Sequence, residues 1–512
     1  MTASAITAAI EMEFAGVGAG WTNVSTDVSR AVGVRFGYGI RAGGFQDRVA
    51  QTGTLTFALD NSSTNSARKL GYYSPDHANK RTGFAIGIRV RLKITHSAST
   101  RYKFIGTLNE ILPAPGAWAS RLTSCTAVDW MDEAAKQKTA NIATQVGKRA
   151  DEIIAAIVAN MTRQPVATSY AAAQLEYPYA LDTAEDEQTS AMTELAKAVN
   201  SDLGYLYIKG DTSAGGKLTY EDRRVRQAAN TVATALTDGA GLTGLQLTHG
   251  RDTVFNRVKV SINPRRVDAD ATTVLYQYDG AQLIALGPGE SVTIIGQYRD
   301  PDQRAQRVGG VDLVTPVAGT DYAFGTGPGD TSLTADLTVT ATAGGNSVII
   351  QLTNGGSVSG FVTMVRVRGR GLYAYDPITL QAEDSTSKTA YGEFVLPVDL
   401  PHEPRQFVAS SIASALLSRF KDPRSYVETV TIDANVSDAM MAAALDNEPG
   451  TLISITETAT GLSASKYFIN GVAGVTDGIR LRVTWYVTPK LDTATVFVLD
   501  SSVLNGTDVL GW

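Results

Sequence analysis

Metal or acid–base chemistry in this 512-residue chain would have to draw on four histidines, one cysteine and its clustered carboxylates. The histidines, His77, His96, His249 and His402, are far apart, and none belongs to a His-Glu-x-x-His pattern that would set two ligands on one helix face. His77 ends Tyr73-Ser-Pro-Asp-His77, which reads as a surface loop. His249 lies in Thr248-His-Gly-Arg-Asp252, a turn before a strand, where a local Arg–Asp pair accounts for the charges. Cys125 sits in the strand-like stretch Leu122–Val128 and is expected to be a small buried hydrophobe. A lone cysteine excludes an intramolecular disulfide and a cysteine zinc cluster. Asp182, Glu185, Asp186 and Glu187 lack the spacing of a calcium loop and predict a solvated loop running into a helix N-terminus. Gly325, Gly327 and Gly329 precede a polar turn, not a helix, so they predict a flexible loop and not a dinucleotide cradle. Neither a phosphate-binding Gly-x-x-x-x-Gly-Lys-Ser/Thr loop nor a Gly-x-Ser-x-Gly elbow is present. The expectation is a chain with no catalytic, cofactor-binding or metal-ligating residues, and not an enzyme. A pair of carboxylates distant in sequence stays open as an alternative.

Composition points to a β-rich scaffold. Charged residues make up 19%, below the usual share of about 25%, and there are 48 glycines. Thr, Ala and Val are abundant, a mix that favours strands and tight turns. The 45 basic and 51 acidic residues leave a formal charge of -6 and no long basic run, which argues against stable nucleic-acid binding. The one dense basic group, Arg223, Arg224 and Arg226, is expected to pair with acids such as Glu221 and Asp222 or to line subunit contacts. The opening segment lacks a basic n-region, so no signal peptide is expected, and no run of 18 apolar residues predicts a membrane span.

Periodicity divides the chain. Residues 1–130 alternate like strands: Leu55, Phe57 and Leu59 share one face, as do Ile86, Ile88, Val90, Leu92 and Ile94, with Arg101–Leu108 as hairpin partner. A closed or nearly closed antiparallel barrel would bury these faces. Residues 131–255 read as an α+β domain. Helices are predicted over 132–161 and about 186–200, and a hairpin joins Tyr205–Ile208 to Lys217–Tyr220. Residues 256–374 are β-rich and include an inserted β-sandwich at about 290–370, where Ala-Gly-Gly and Asn-Gly-Gly turns separate short strands. Residues 375–512 read as a helix at about 404–420, with Phe407, Val408, Ser411, Ile412, Ala415 and Leu416 on its apolar stripe, followed by a second barrel. Tyr102-Lys-Phe-Ile-Gly106 and Lys466-Tyr-Phe-Ile-Asn-Gly471 match loosely, each downstream of a glycine, Gly53 and Gly450, which suggests one barrel type used twice.

Four groups of segments carry a resemblance to a known family. They are Tyr72-Tyr-Ser-Pro75 with Gly87–Leu92 and Phe104–Leu108; Leu203–Ile208 with Leu218–Arg223; Leu245–Asp252 with Val254–Val260; and Tyr467–Gly471 with Phe497–Asp500 and Leu510-Gly511. In order and spacing they resemble the baseplate or tail-tip hub proteins of long-tailed, siphovirus-like phages, which are similar to the central hub of contractile-tail phages. The resemblance spans the chain apart from about 290–370. It implies a virion protein of the tail tip. It also implies a homotrimer whose two barrels per chain adapt a sixfold tube to a threefold tip, closing the tube and forming the channel for DNA ejection. Implied partners are the tail tube or distal tail protein, the tape measure protein and tip fibre or receptor-binding proteins, with only transient passage of DNA. Two other readings stand beside it: a distal tail ring protein with a carbohydrate-binding insertion, and a cell-wall-degrading tail enzyme.

Overall fold

Strands form here because apolar residues recur at every second position and bury one face of each strand. In the strand Arg89–His96, Val90, Leu92 and Ile94 point into the core. Arg91 and Lys93 on the other face pair with Glu11 of Thr7–Met12. The structure, a computed structural model, describes residues 4–42, 44, 46–115, 120–139, 141–184, 189–210, 215–239, 241–278 and 283–490. The strand expected at 494–499, with Phe497–Asp500 and Leu510-Gly511, lies outside the described residues, as do Glu185, Asp186 and Glu187.

The fold is mainly β, with an α+β middle region, several sheets and an inserted sandwich. Thirteen strands form one continuous sheet. Its N-terminal half runs Val34–Gly39, Thr54–Asp60, Leu122–Val128, Ser99–Pro113, Arg89–His96, Thr7–Met12 and Thr22–Asn23 in spatial order. This half curls back on itself without a closing ladder: the gap is spanned by an isolated bridge, Val28 to Leu59, and by the Ser29 amide donating to the Ala58 carbonyl. The C-terminal half runs Thr234–Leu236, Leu452–Glu457, Leu462–Thr476, Leu481–Pro489, Tyr426–Asp433 and Leu242–Thr248. Here the two terminal strands are consecutive in the chain, so the backbone itself spans the gap. One hydrophobic cluster, including Phe36, Leu55, Phe104, Ile432, Ile469 and Trp485, fills both halves.

The halves repeat one another strand for strand. Thr7–Met12, Arg89–His96, Ser99–Pro113, Leu122–Val128, Thr54–Asp60 and Val34–Gly39 correspond in spatial order to the six C-terminal strands in the order just given. The first pair differs in direction, being antiparallel in the N-terminal half and parallel in the C-terminal half. The long central strand has 15 residues in each half. It skips one residue against the next strand, Asn109 in one half and Asn470 in the other. Gly87 and Gly450, both at φ 91°, donate to the carbonyls of Leu108 and Ile469. Leu108 therefore corresponds to Ile469, and Gly87 to Gly450. The sequence match at Phe104-Ile-Gly106 is displaced from this register by three residues, and Gly53 is not the partner of Gly450. A short local match of this kind does not fix register, which the ladder pairs and the shared bulge define instead.

The second half-barrel draws on two stretches, 234–248 and 426–489, and not on a single segment from 375. Residues 375–425 belong elsewhere. Ile378–Glu383 and Val395–Leu400 flank Arg257–Ile262 in a three-stranded sheet, and helix Gln406–Phe420 covers it with Val408, Ile412 and Leu416. Phe407, expected on that stripe, is 69% exposed. In the middle region helices Trp130–Lys136, Ala150–Ala159 and Ala191–Asp202 share a core with the hairpin Tyr205–Lys209 and Lys217–Glu221. The strand Gln145–Arg149 separates the first two helices. The sandwich is larger than expected: strands from Arg265–Val267 to Gly360–Ala374 form two sheets around one core that holds Leu275, Tyr298, Phe324, Ile350 and Val365.

The sandwich leaves and re-enters the chain at one point, because Ile262 and Ile378 are opposed in an antiparallel ladder. Replacing residues 264–377 with a single glycine puts Asn263-Gly between these strands, a favoured two-residue hairpin turn. Excision strands Asp182, whose carboxylate is held bidentately by Arg265 at 2.6 and 2.9 Å. The excised chain is expected to remain soluble, and Asp182→Asn to raise its stability to urea by about 1–3 kcal/mol. Aggregation of both versions would show that the sandwich supports the core.

Candidate functional site: the joint between the half-barrels

The two halves meet where Val34–Gly39 pairs antiparallel with Gly471–Thr476 of the long C-terminal strand, from Gly39 opposite Gly471 to Val34 opposite Thr476. Close approach requires glycine at this seam. A Cβ on Gly39, at φ 81°, would lie 2.6 Å from the Asn470 carbonyl oxygen, and one on Gly474 would lie 2.2 Å from the Phe36 ring. Phe36 lies over Gly474 and carries the shared core across the joint.

Buried charges lock the joint to the middle region. Glu448, between the helix Asp438–Asp446 and the strand Leu452–Glu457, accepts from the Tyr38 hydroxyl at 2.8 Å, from the Gly210 amide at 3.0 Å and from Lys103. Lys103, 1% exposed, also donates to the Leu445 carbonyl at 2.9 Å. Burial, and next the Glu448 charge, hold the Tyr38 hydroxyl well above its ordinary pKa. Nearby, Arg226 pairs with Glu221 at 2.8 Å and donates to the Asn470 side chain at 2.6 Å. Its guanidinium stacks 3.6 Å from the centroid of Tyr205. Arg48 donates to the Leu203 carbonyl at 2.6 Å. The arginine group thus divides: Arg226 takes the expected acidic partner Glu221, Arg223 is buried against the Asp202 carbonyl, and Arg224 reaches Gln174 at the surface.

The residues considered for chemistry stay apart. His77 is exposed and its Nδ1 accepts from the Asn79 amide. His96 is buried beside Asp438 at 3.0 Å, and exposed His249 bonds Ser425 at 2.7 Å. Arg251 donates to the Tyr391 carbonyl, a contact that the expected local Arg–Asp pair did not foresee. His402 is buried next to Tyr177, and burial pushes its pKa down to about 3, so it stays neutral. Cys125 is buried with its thiol pushed up to about 12 by desolvation, the inert small hydrophobe that its strand position predicts. Asp182, expected to be solvated, is buried in its pair with Arg265. Gly325 ends the strand Tyr322–Gly325, and Asp330 accepts from Thr326 and Ser332 to order the loop that follows. Two buried carboxyls are strongly raised. Asp202 is raised by burial and then by Asp222, and Asp129 is pushed up to about 7, chiefly by burial. Neither lines the surface cavities of about 340 and 440 Å³ found among the described residues. The larger, about 440 Å³, is lined by Gly87, Arg89, Thr107, Trp130, Glu133 and Arg163, among others. Among the described residues no three His, Cys, Asp or Glu side chains gather to hold a metal, and no helix is long and apolar enough to cross a membrane.

Sequence reasoning missed Lys103, Tyr38 and Glu448. Their one signal is a lysine placed in the apolar run Phe104-Ile105, and nothing local names its partner 345 residues away.

No family model matches the chain, and no curated protein matches it. Among solved structures it is similar to the 43 kDa tail protein of prophage MuSo2 from Shewanella oneidensis, at 9% identity and TM-score 0.47, covering 94% of this chain and 98% of that one. It is also similar to the tail protein from Neisseria meningitidis MC58, at 8% identity and TM-score 0.47, covering 94% and 96%. A third neighbour is the E. coli c3393 protein, a type VI secretion component with structural similarity to T4 bacteriophage tail proteins gp27 and gp5, at 8% identity and TM-score 0.36, covering 92% and 78%.

Proposed function

We propose that this chain is a non-enzymatic structural subunit of a phage tail-tip hub. Three copies form a ring that meets a sixfold tube on one side and a threefold tip on the other, closes the tube before infection and gives DNA a passage during ejection. The observation that carries this reading is the duplication: one chain holds two half-barrels of the same strand order, joined edge to edge, so three chains present six similar units. The segments that resemble hub proteins support it. The ring's neighbours would be the tail tube or distal tail protein, the tape measure protein and tip fibre proteins. A distal tail ring built with one barrel per chain accounts less well for the duplication. A cell-wall-degrading enzyme needs convergent carboxylates in a cleft, and the two strongly raised carboxyls, Asp129 and Asp202, are both buried instead.

Light scattering on the purified chain should give three times 54.2 kDa, about 163 kDa, with six similar lobes in averaged electron micrographs. The same material should leave peptidoglycan and capsule polysaccharide intact. A particle of six chains, about 325 kDa, would overturn the threefold reading.

A further inference from the structure

The internal joint has an unfilled counterpart. On the C-terminal half, the long strand Leu462–Thr476 bonds Leu452–Glu457 along its first part and Val34–Gly39 along its last part, on the same edge. On the N-terminal half, Ser99–Pro113 bonds Arg89–His96 along its first part. This edge is closed as far as Leu108, which exchanges hydrogen bonds with Gly87 and Ile88. Beyond it, among the described residues, no strand pairs with Asn109–Pro113 on that edge. All of these residues but Ile111 are exposed, and Leu112 is 55% exposed. The equivalent of Val34–Gly39 is also unpaired on its outer side: Leu242–Thr248 bonds only Tyr426–Asp433 among the described strands. Leu245 and Leu247 there, and Ile111 on the other edge, are only partly buried against the core.

We infer that these two edges are the two sides of one intermolecular joint, in which the Leu242–Thr248 edge of one chain pairs antiparallel with Asn109–Pro113 of a second copy. The strand correspondence fixes the register. Arg35 opposes Thr56 and Gln246 opposes Thr429, which are equivalent positions; the extra residue that follows, Glu428, lies in the partner strand, and the core-facing Leu245 and Leu247 match Val34 and Phe36, so Val34–Gly37 maps onto Leu245–Thr248. Gly471–Thr476 maps onto 110–115. The internal pair Ala473–Gly37 then becomes Leu112 of one chain opposite Thr248 of the next, and Val472–Tyr38 becomes Ile111 opposite His249. The surroundings of this edge are open: a Cβ on Gly450 meets Tyr207 and Glu221 of the middle-region hairpin, whereas one on Gly87 meets nothing within 4 Å, beside Ile86 at 67% exposure. Pro113 offers this edge a carbonyl but no amide. The ladder is therefore shorter than the internal one, and the edge resists unselective pairing. A head-to-tail contact of this kind generates a ring when its rotation closes. The inference deepens the hub reading and rests on it for ring closure, while the contact itself rests on the internal joint.

Opposed residues of a non-hydrogen-bonded pair lie close enough for a disulfide, and the native Cys125 is buried. The double variant Leu112→Cys, Thr248→Cys, oxidised at micromolar concentration, should run on a non-reducing gel as a covalent oligomer of the size that light scattering gives for the native chain. A mixture of the two single variants should stop at a covalent dimer, and either alone should stay uncrosslinked. Thermal melts of the reduced variants that match the native chain show that the substitutions leave the fold intact. An oligomer by scattering without crosslinks overturns the edge assignment and leaves the hub reading standing. A monomer by scattering, without crosslinks, overturns both.

Discussion

Glu448→Ala should destabilise the protein to urea by about 3–5 kcal/mol, the usual cost of leaving one member of a buried ion pair alone. The variant keeps the fully buried Lys103 ammonium but removes its only carboxylate partner among the described residues, leaving the Leu445 carbonyl. It also leaves the Tyr38 hydroxyl and the Gly210 amide without their acceptor. These three donors come from the N-terminal half and the middle region, and Glu448 comes from the C-terminal half, so one carboxylate ties three parts of the chain. Adding Lys103→Met removes the stranded charge while filling its volume. The double variant should therefore recover most of the loss, and the two changes should be strongly non-additive. A Glu448→Ala cost below about 1 kcal/mol would mean that water reaches Lys103 and that the pair does not hold the joint.

What the sequence made legible was whatever repeats locally. Alternation in Thr54–Asp60 and Arg89–His96 gave strands with the right faces, and the glycine-rich turns gave the sandwich. Local pattern failed where the partner was remote. Ile86 continues the alternation of Val90 and Leu92 but is exposed, because the strand begins at Arg89, after the turn at Gly87. Thr234–Leu236 and Leu242–Thr248 look like an appendage of the middle region, yet their partners lie about 200 residues later. The acidic stretch at Asp182 looked solvated because Arg265 is 83 residues away. In each case the pairing energy comes from contacts that no window of sequence contains. The site was hardest to see for the same reason, since a joint made of backbone edges, glycines and a lysine–glutamate pair has no motif.

Asp129 supplies the other large effect, and it depends on pH. Its side chain caps the helix Trp130–Lys136 by accepting from the Met131 amide at 3.1 Å, but its second oxygen is buried without a hydrogen-bond partner among the described residues. Burial dominates and pushes the carboxyl up to about 7, from an ordinary value near 4. The folded state therefore binds this proton more tightly than the unfolded state. Its contribution to stability is fully present below about pH 4 and is lost as pH rises through 7. Asp129→Asn keeps a capping oxygen and removes the ionisation. The stability of Asp129→Asn relative to the native chain should accordingly rise by about 2–3 kcal/mol between pH 5 and pH 8, because each tenfold difference in proton affinity between the folded and unfolded states is worth about 1.4 kcal/mol. Taking the difference between variant and native chain at each pH cancels titrations common to both, including that of buried His402. Urea unfolding at the two pH values measures it. A difference that stays flat would mean that Asp129 is ionised in the folded protein at pH 5, with its second oxygen open to solvent.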